Sequence, residues 1–153
     1  MGRRSMRRFL SFAAACVIVL GSAASASHAV DAAAEQISER VARTLEARDA
    51  AALASLFPSD RKVRVSLDRI ADLKGYVGPG PLVEALRRYL SSKAEIRFDA
   101  DTGGGKGGGA GTIRVRGTLI TRDGSGRRER IGMVFSFEHV EGDWRAVEVR
   151  ETG

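Results

Sequence analysis

Residues 112–149, TIRVRGTLITRDGSGRRERIGMVFSFEHVEGDWRAVEV, decide the fold. Ile113, Val115, Gly117 and Leu119 alternate with Arg114, Arg116 and Thr118, and Ile131, Met133, Phe135 and Phe137 form a second, stronger apolar row. Successive side chains of a strand point to opposite faces, so each run is a strand with one buried and one solvated face. Asp123-Gly124-Ser125-Gly126 turns the chain between these strands, and Glu141-Gly142-Asp143 turns it into a last strand from Trp144 to Val149. Upstream, Val63, Val65 and Leu67 alternate with Lys62, Arg64 and Ser66, and Ile96 and Phe98 with Glu95, Arg97 and Asp99. The outward rows are rich in Arg with interspersed acids. Cross-strand charge pairs on a solvated face explain them better than an anion-binding surface does.

The first half has a helical period instead. Ala34, Ile37, Val41 and Leu45 make one stripe over residues 32–48, with charged side chains around the rest. Asp49 is placed to cap a short helix over 50–57, which Pro58 ends. Gly80-Pro81 announces a third helix with the stripe Leu82, Ala85, Leu86, Tyr89 and Leu90. The stretch from Asp68 to Pro81 reads as a link around Tyr76, rich in turn formers. Helices first and strands later predict an α+β fold in which helices cover one face of an antiparallel sheet.

Residues 1–29 read as an export signal. Arg3, Arg4, Arg7 and Arg8 precede an apolar run from Phe9 to Leu20, and small residues follow, with cleavage expected after Ala29 or Ala26. The run is shorter than the roughly 20 residues a permanent membrane helix needs. The expected product, residues 30–153, is a single domain with no stable membrane span, periplasmic or extracellular in a bacterium. The full chain carries 25 Lys+Arg against 19 Asp+Glu. Four of those arginines and no acid lie in the signal, so the mature balance is close to neutral. That argues against nucleic acid as a partner. Cys16, the single cysteine, falls inside the signal, which leaves no disulfide or thiolate chemistry. Its surroundings fit a lipid-attachment box poorly, because the apolar run continues through Val17–Leu20.

No catalytic residue, metal site or cofactor stands out. The Gly-rich stretch 102–111 holds Lys106, but Gly107 follows it where a phosphate-binding loop needs Ser or Thr at a helix start. It reads as a flexible loop between strands. His139 is the one histidine outside the signal, and a lone imidazole is a weak case for a metal or a base. No G-x-S-x-G elbow is present.

The ordered pieces resemble the nuclear transport factor 2-like (cystatin-like α+β roll) superfamily across nearly the whole mature chain. The resemblance is carried by the long first helix, by Ala47-Arg48-Asp49-Ala50-Ala51-Ala52-Leu53-Ala54-Ser55-Leu56-Phe57, and by the Gly75-Tyr76 link. The helix Leu82–Leu90 and the hairpin ending in Gly142-Asp143-Trp144-Arg145 add to it. More narrowly, the chain is similar to an exported bacterial branch classed as a domain of unknown function. The resemblance implies a curved sheet wrapped around the N-terminal helices to form a cone whose open end can hold an apolar ligand. It also implies that homodimers and pocket enzymes, such as isomerases and dehydratases, occur among the relatives.

The leading expectation is therefore an exported, non-enzymatic binding or accessory domain for a small apolar ligand or a protein partner. Its candidate pocket residues are Leu67, Tyr76, Phe98, Phe135, Phe137 and Trp144, with Val65 and Leu119 beside them. The alternatives are an isomerase- or dehydratase-type enzyme using Tyr76, Asp68 or His139, and a homodimeric assembly protein.

Overall fold

The computed structural model describes residues 22–101 and 111–153, with side chains from residue 29 onward. Most of the expected export signal and of the Gly-rich stretch lies outside the described residues.

The elements run α1 Ser22–Ala47, α2 Ala50–Ser55, β1 Val63–Leu67, β2 Leu73–Val77, α3 Pro79–Ser91, β3 Glu95–Ala100, β4 Thr112–Arg122, β5 Arg128–Val140 and β6 Asp143–Thr152. α1 thus begins upstream of the stripe that predicts it and passes through both expected cleavage points. Its stripe is the expected one: Ala34, Ile37, Val41 and Leu45 are buried. Asp49 caps α2 as its position predicts, accepting the Ala52 N–H at 2.7 Å. Between the two helices Arg48 takes a left-handed conformation (φ 58°), and its guanidinium donates to the carbonyls of Lys93 and Ala94. Those carbonyls follow the last turn of α3, where backbone acceptors lack helical partners.

The six strands form one sheet in the order β2-β1-β6-β5-β4-β3. Neighbouring pairs are antiparallel except β1 and β6, which run parallel with Val65 opposite Val149. The wholly antiparallel expectation is thus corrected at one pair. The physical reason is connectivity: β1 is joined by a hairpin to β2 on its other side, and the chain crosses through α3 before returning as β6. Parallel neighbours need such a crossover. A second correction concerns the Asp68–Pro81 link, which contains β2. As an edge strand β2 is half-exposed, and Gly75 and Tyr76 hide the alternation of Leu73 and Val77.

The inner rows are as read from the alternation. Val63, Val65 and Leu67, then Ile113, Val115 and Leu119, then Ile131, Met133, Phe135 and Phe137 are all closed to solvent. With Leu53, Leu56, Phe57, Leu82, Leu86 and Leu90 from the helical layer they form one core. Phe98 and Phe135 meet edge to face at 6.1 Å, a favoured geometry for aromatic rings. The fold is α+β: helices lie on one face of a curved, mixed sheet, as in a cone-shaped roll.

Candidate functional site

One open cleft follows from how α2 ends. A helix leaves its last carbonyls unpaired, and here β6 supplies the donors. The Ala146 N–H donates to the Leu56 carbonyl at 2.6 Å, and the Arg145 guanidinium donates to the Ser55 carbonyl. This docks α2 on β6 and leaves a hollow of about 560 Å³ between α2, the first turn of α3 and the β5–β6 turn. Its floor is Phe57, Pro58 and Val83, with Ala51 and Ala54 on the α2 side. Its rim is polar: Ser59 donates to Glu141 at 2.8 Å, and Arg145 lies 3.8 Å from Asp143. The Arg145 Nε is buried without a hydrogen-bond partner. The volume lies in the range of small-ligand pockets. Glu84 and Glu141 share the edge with Arg145, so an apolar floor under a rim of mixed charge suits a small, mainly apolar molecule.

A second cluster sits at the opposite end of the sheet. The Tyr89 hydroxyl donates to Glu129 at 3.0 Å, Arg69 donates to the other carboxylate oxygen at 2.8 Å, and Lys93 lies 3.3 Å away. The Lys93 ammonium also stands 4.5 Å from the centre of the Tyr89 ring. Burial pushes the Tyr89 phenol above its ordinary 10.0, and Glu129 adds to the rise. Thr121 acts the other way, although its buried hydroxyl falls short of a well-formed hydrogen bond. Partial burial opposes ionisation of Glu129, yet the donors Tyr89, Arg69 and Lys93 outweigh it and hold the carboxyl below 4.5. The cluster ties the end of α3 and the β1–β2 turn to β5.

The residues predicted from sequence fall in three environments. Leu67, Phe98, Phe135 and Phe137 are closed to solvent within the core, as are Val65 and Leu119. Trp144 is half-buried and lines a shallow groove of about 380 Å³ against Ile37, Arg40 and Arg43 of α1. Tyr76 is 70% exposed on the edge strand. The three candidate catalytic side chains do not converge. Asp68 pairs with Lys74 at 2.8 Å beyond the end of β1, whereas His139 meets the Trp144 ring at 5.6 Å. The register of β1 and β5 on β6 puts these two sites roughly 20 Å apart along the sheet. Among the described residues, no group of three or more His, Cys, Asp or Glu side chains comes together as a metal site.

Sequence reasoning missed Glu129, Thr121 and the cleft. Glu129 stands two residues before Ile131, in phase with the buried row of β5, and Thr121 extends the buried row of β4. A carboxylate in register with an apolar row is a readable sign of a buried partner, because charges seldom face a core unpaired. The cleft has no such sign, since it depends on where α2 docks.

No family model matches the chain, and no curated protein sequence does either. Solved structures do. A candidate scytalone dehydratase from Novosphingobium aromaticivorans aligns at 17% identity and TM-score 0.64, over 85% of this chain and 89% of its own. An NTF2-like protein with a cystatin-like fold from the same organism aligns at 18% identity and TM-score 0.59, over 84% and 86%. A DUF4783 family protein from Bacteroides uniformis aligns at 15% identity and TM-score 0.56, over 74% and 93%. The fold is that of the NTF2-like, cystatin-like proteins. At such identities the likeness establishes the NTF2-like fold alone, and activity must be argued from this chain's own side chains.

Proposed function

We propose that this chain is an exported, non-enzymatic binding domain of the NTF2-like fold, close to the exported branch that the sequence resembles. Its ligand is a small, mainly apolar molecule seated between α2 and α3. The cleft over Phe57, Pro58 and Val83 carries the reading, because it is open, with an apolar floor and a polar rim that includes Arg145, Glu84 and Glu141. The aromatic residues inside the cone are closed to solvent and serve as core. Supporting a binding role over catalysis, Glu129 already accepts from three donors in its cluster.

The test uses the fluorescent probe 8-anilinonaphthalene-1-sulfonate, which joins an apolar body to an anion. Saturable enhancement by the native protein and its loss in Ala54→Trp, at an unchanged thermal midpoint, are expected. Equal enhancement by both proteins would remove the cleft as the site.

A second reading, an isomerase- or dehydratase-type enzyme, draws on the Tyr89–Glu129 pair and on the likeness to the candidate scytalone dehydratase. It requires the ligand beside Tyr89, so probe binding lost in Tyr89→Phe and kept in Ala54→Trp would favour it. Homodimeric assembly is the third reading, and a mass that rises with concentration in sedimentation equilibrium would favour it.

A further inference from the structure

The outer face of the sheet carries a feature that the cleft leaves unexplained. Val134 on β5 lies between Arg116 on β4 and Arg150 on β6. In the next row Gly132 lies between Thr118 and Thr152. These two rows enclose a hollow of about 290 Å³ on the face turned away from the core. Gly132 makes the hollow. The Thr152 hydroxyl oxygen leans over the glycine, 2.2 Å from where a Cβ would stand, so any side chain at this position would displace that hydroxyl.

The charges around the hollow are not matched. Three arginines of this face have a carboxylate within reach, Arg64 with Glu148, Arg97 with Asp99 and Arg122 with Glu95, whereas Arg114, Arg128 and Arg130 have none among the described residues and do not border this hollow. Arg116 and Arg150 make no such pair among the described residues. The undescribed stretches 1–21 and 102–110 contain no Asp or Glu that would complete one. Asp101 stands on the rim, its N–H donating to the Arg116 carbonyl at 2.9 Å, and its carboxylate forms no ion pair with either guanidinium.

We propose that the hollow over Gly132 is a phosphate site on the outer sheet face, held by Arg116 and Arg150 with the Thr118 and Thr152 hydroxyls as further donors. Alternate strands stand roughly 10 Å apart, so two long arginine side chains can converge on one group placed above Val134. Guanidinium forks favour planar or tetrahedral oxyanions, and bonds to ionised acceptors are the strong ones. Two forks and two hydroxyls offer donors from more directions than the two oxygens of a carboxylate can accept. A phosphate monoester, with three terminal oxygens, accepts them all. Asp101 limits the affinity by its own charge. The proposal is independent of the α2–α3 cleft, which lies on the helical side of the sheet.

The experiment is a titration of the protein with inorganic phosphate at fixed ionic strength, followed by amide chemical shifts. Saturable shifts centred on Thr118, Gly132 and Thr152 are expected. Replacing both arginines (R116Q/R150Q) should weaken binding by about tenfold or more, whereas R128Q/R130Q, which removes the same charge elsewhere on the face, should change it by less than about twofold. Asp101→Asn should tighten binding. Equal weakening in both double variants would overturn the site in favour of a diffuse charge effect, and acetate binding as well as phosphate would overturn the tetrahedral assignment. Absence of saturable shifts in the native protein would also overturn it. Vesicles containing phosphatidic acid and soluble glycerol 3-phosphate then separate the two sources of the group. Preference for either, lost in R116Q/R150Q, supports the site and names the source as a membrane surface or a free ester.

Discussion

Gly117 lies against the ring of Phe98: a Cβ at position 117 would sit 2.5 Å from the Phe98 Cζ and 2.6 Å from the Asp99 carbonyl oxygen. Gly117 pairs with Ala100, so β3 and β4 approach here with an aromatic ring laid over the gap that the missing side chain leaves. The close approach then seats Phe98 edge to face with Phe135.

Gly117→Ala is therefore expected to destabilise the fold by about 1–3 kcal/mol, the usual range for overpacking a filled core. Urea unfolding measures it. A midpoint unchanged from the native protein would mean that Phe98 moves aside freely.

Phe135 contacts both Phe98 and Phe137 and is fully buried. Phe135→Ala should cost about 3–5 kcal/mol, and Phe135→Leu, which keeps most of the volume, less than about 2 kcal/mol. A domain of this size has about 5–15 kcal/mol in total, so the alanine variant should be visibly depleted in expression. Similar losses for both variants would point to an aromatic role beyond volume.

Asp49→Ala removes the side-chain acceptor of the Ala52 N–H and should cost about 1 kcal/mol. Because α2 forms one wall of the cleft, the same variant should weaken 8-anilinonaphthalene-1-sulfonate binding. Loss of stability with unchanged probe affinity would show that the cleft does not depend on this cap.

The Tyr89–Glu129 bond gives two pH limbs. Glu129 is held below 4.5 in the folded protein, so its stabilisation is present above about that pH and lost as pH falls through the lowered value. Tyr89 is held above 10.0, so its contribution is present below about that pH and lost as pH rises through the raised value. Glu129→Gln should flatten the acid limb of the stability profile and Tyr89→Phe the alkaline limb. A native acid limb surviving intact in Glu129→Gln would assign the loss to other carboxylates.

Arg145 distinguishes an anion-assisted cleft from a purely apolar one. Arg145→Met should weaken the anionic probe by about three- to tenfold, as loss of a charge-assisted contact implies, and leave the uncharged N-phenyl-1-naphthylamine unaffected. Weakening of both probes alike would mean that Arg145 acts through its hold on the Ser55 carbonyl.

Alternation in residues 112–149 and the four-residue stripe of α1 determined the fold class, the inner rows and the aromatic core. Both signals are local: a period of two or of 3.6 states which side chains share a face before any partner is known. Asp49 as a cap was legible for the same reason. The parallel pairing of β1 with β6 was not, because register between distant strands is set by the connection and the packing around it. Edge strand β2 was hidden because only Leu73 and Val77 pack against the core, and Gly75 between them breaks the apolar row. The functional features belong to the tertiary structure entirely. Phe57, Val83 and Arg145 form a cleft only because β6 donors fix the end of α2. Arg116 and Arg150 flank one hollow only because β5 lies between their strands. Sequence fixes which face a residue presents, and the assembly of the sheet decides which residues become neighbours across it.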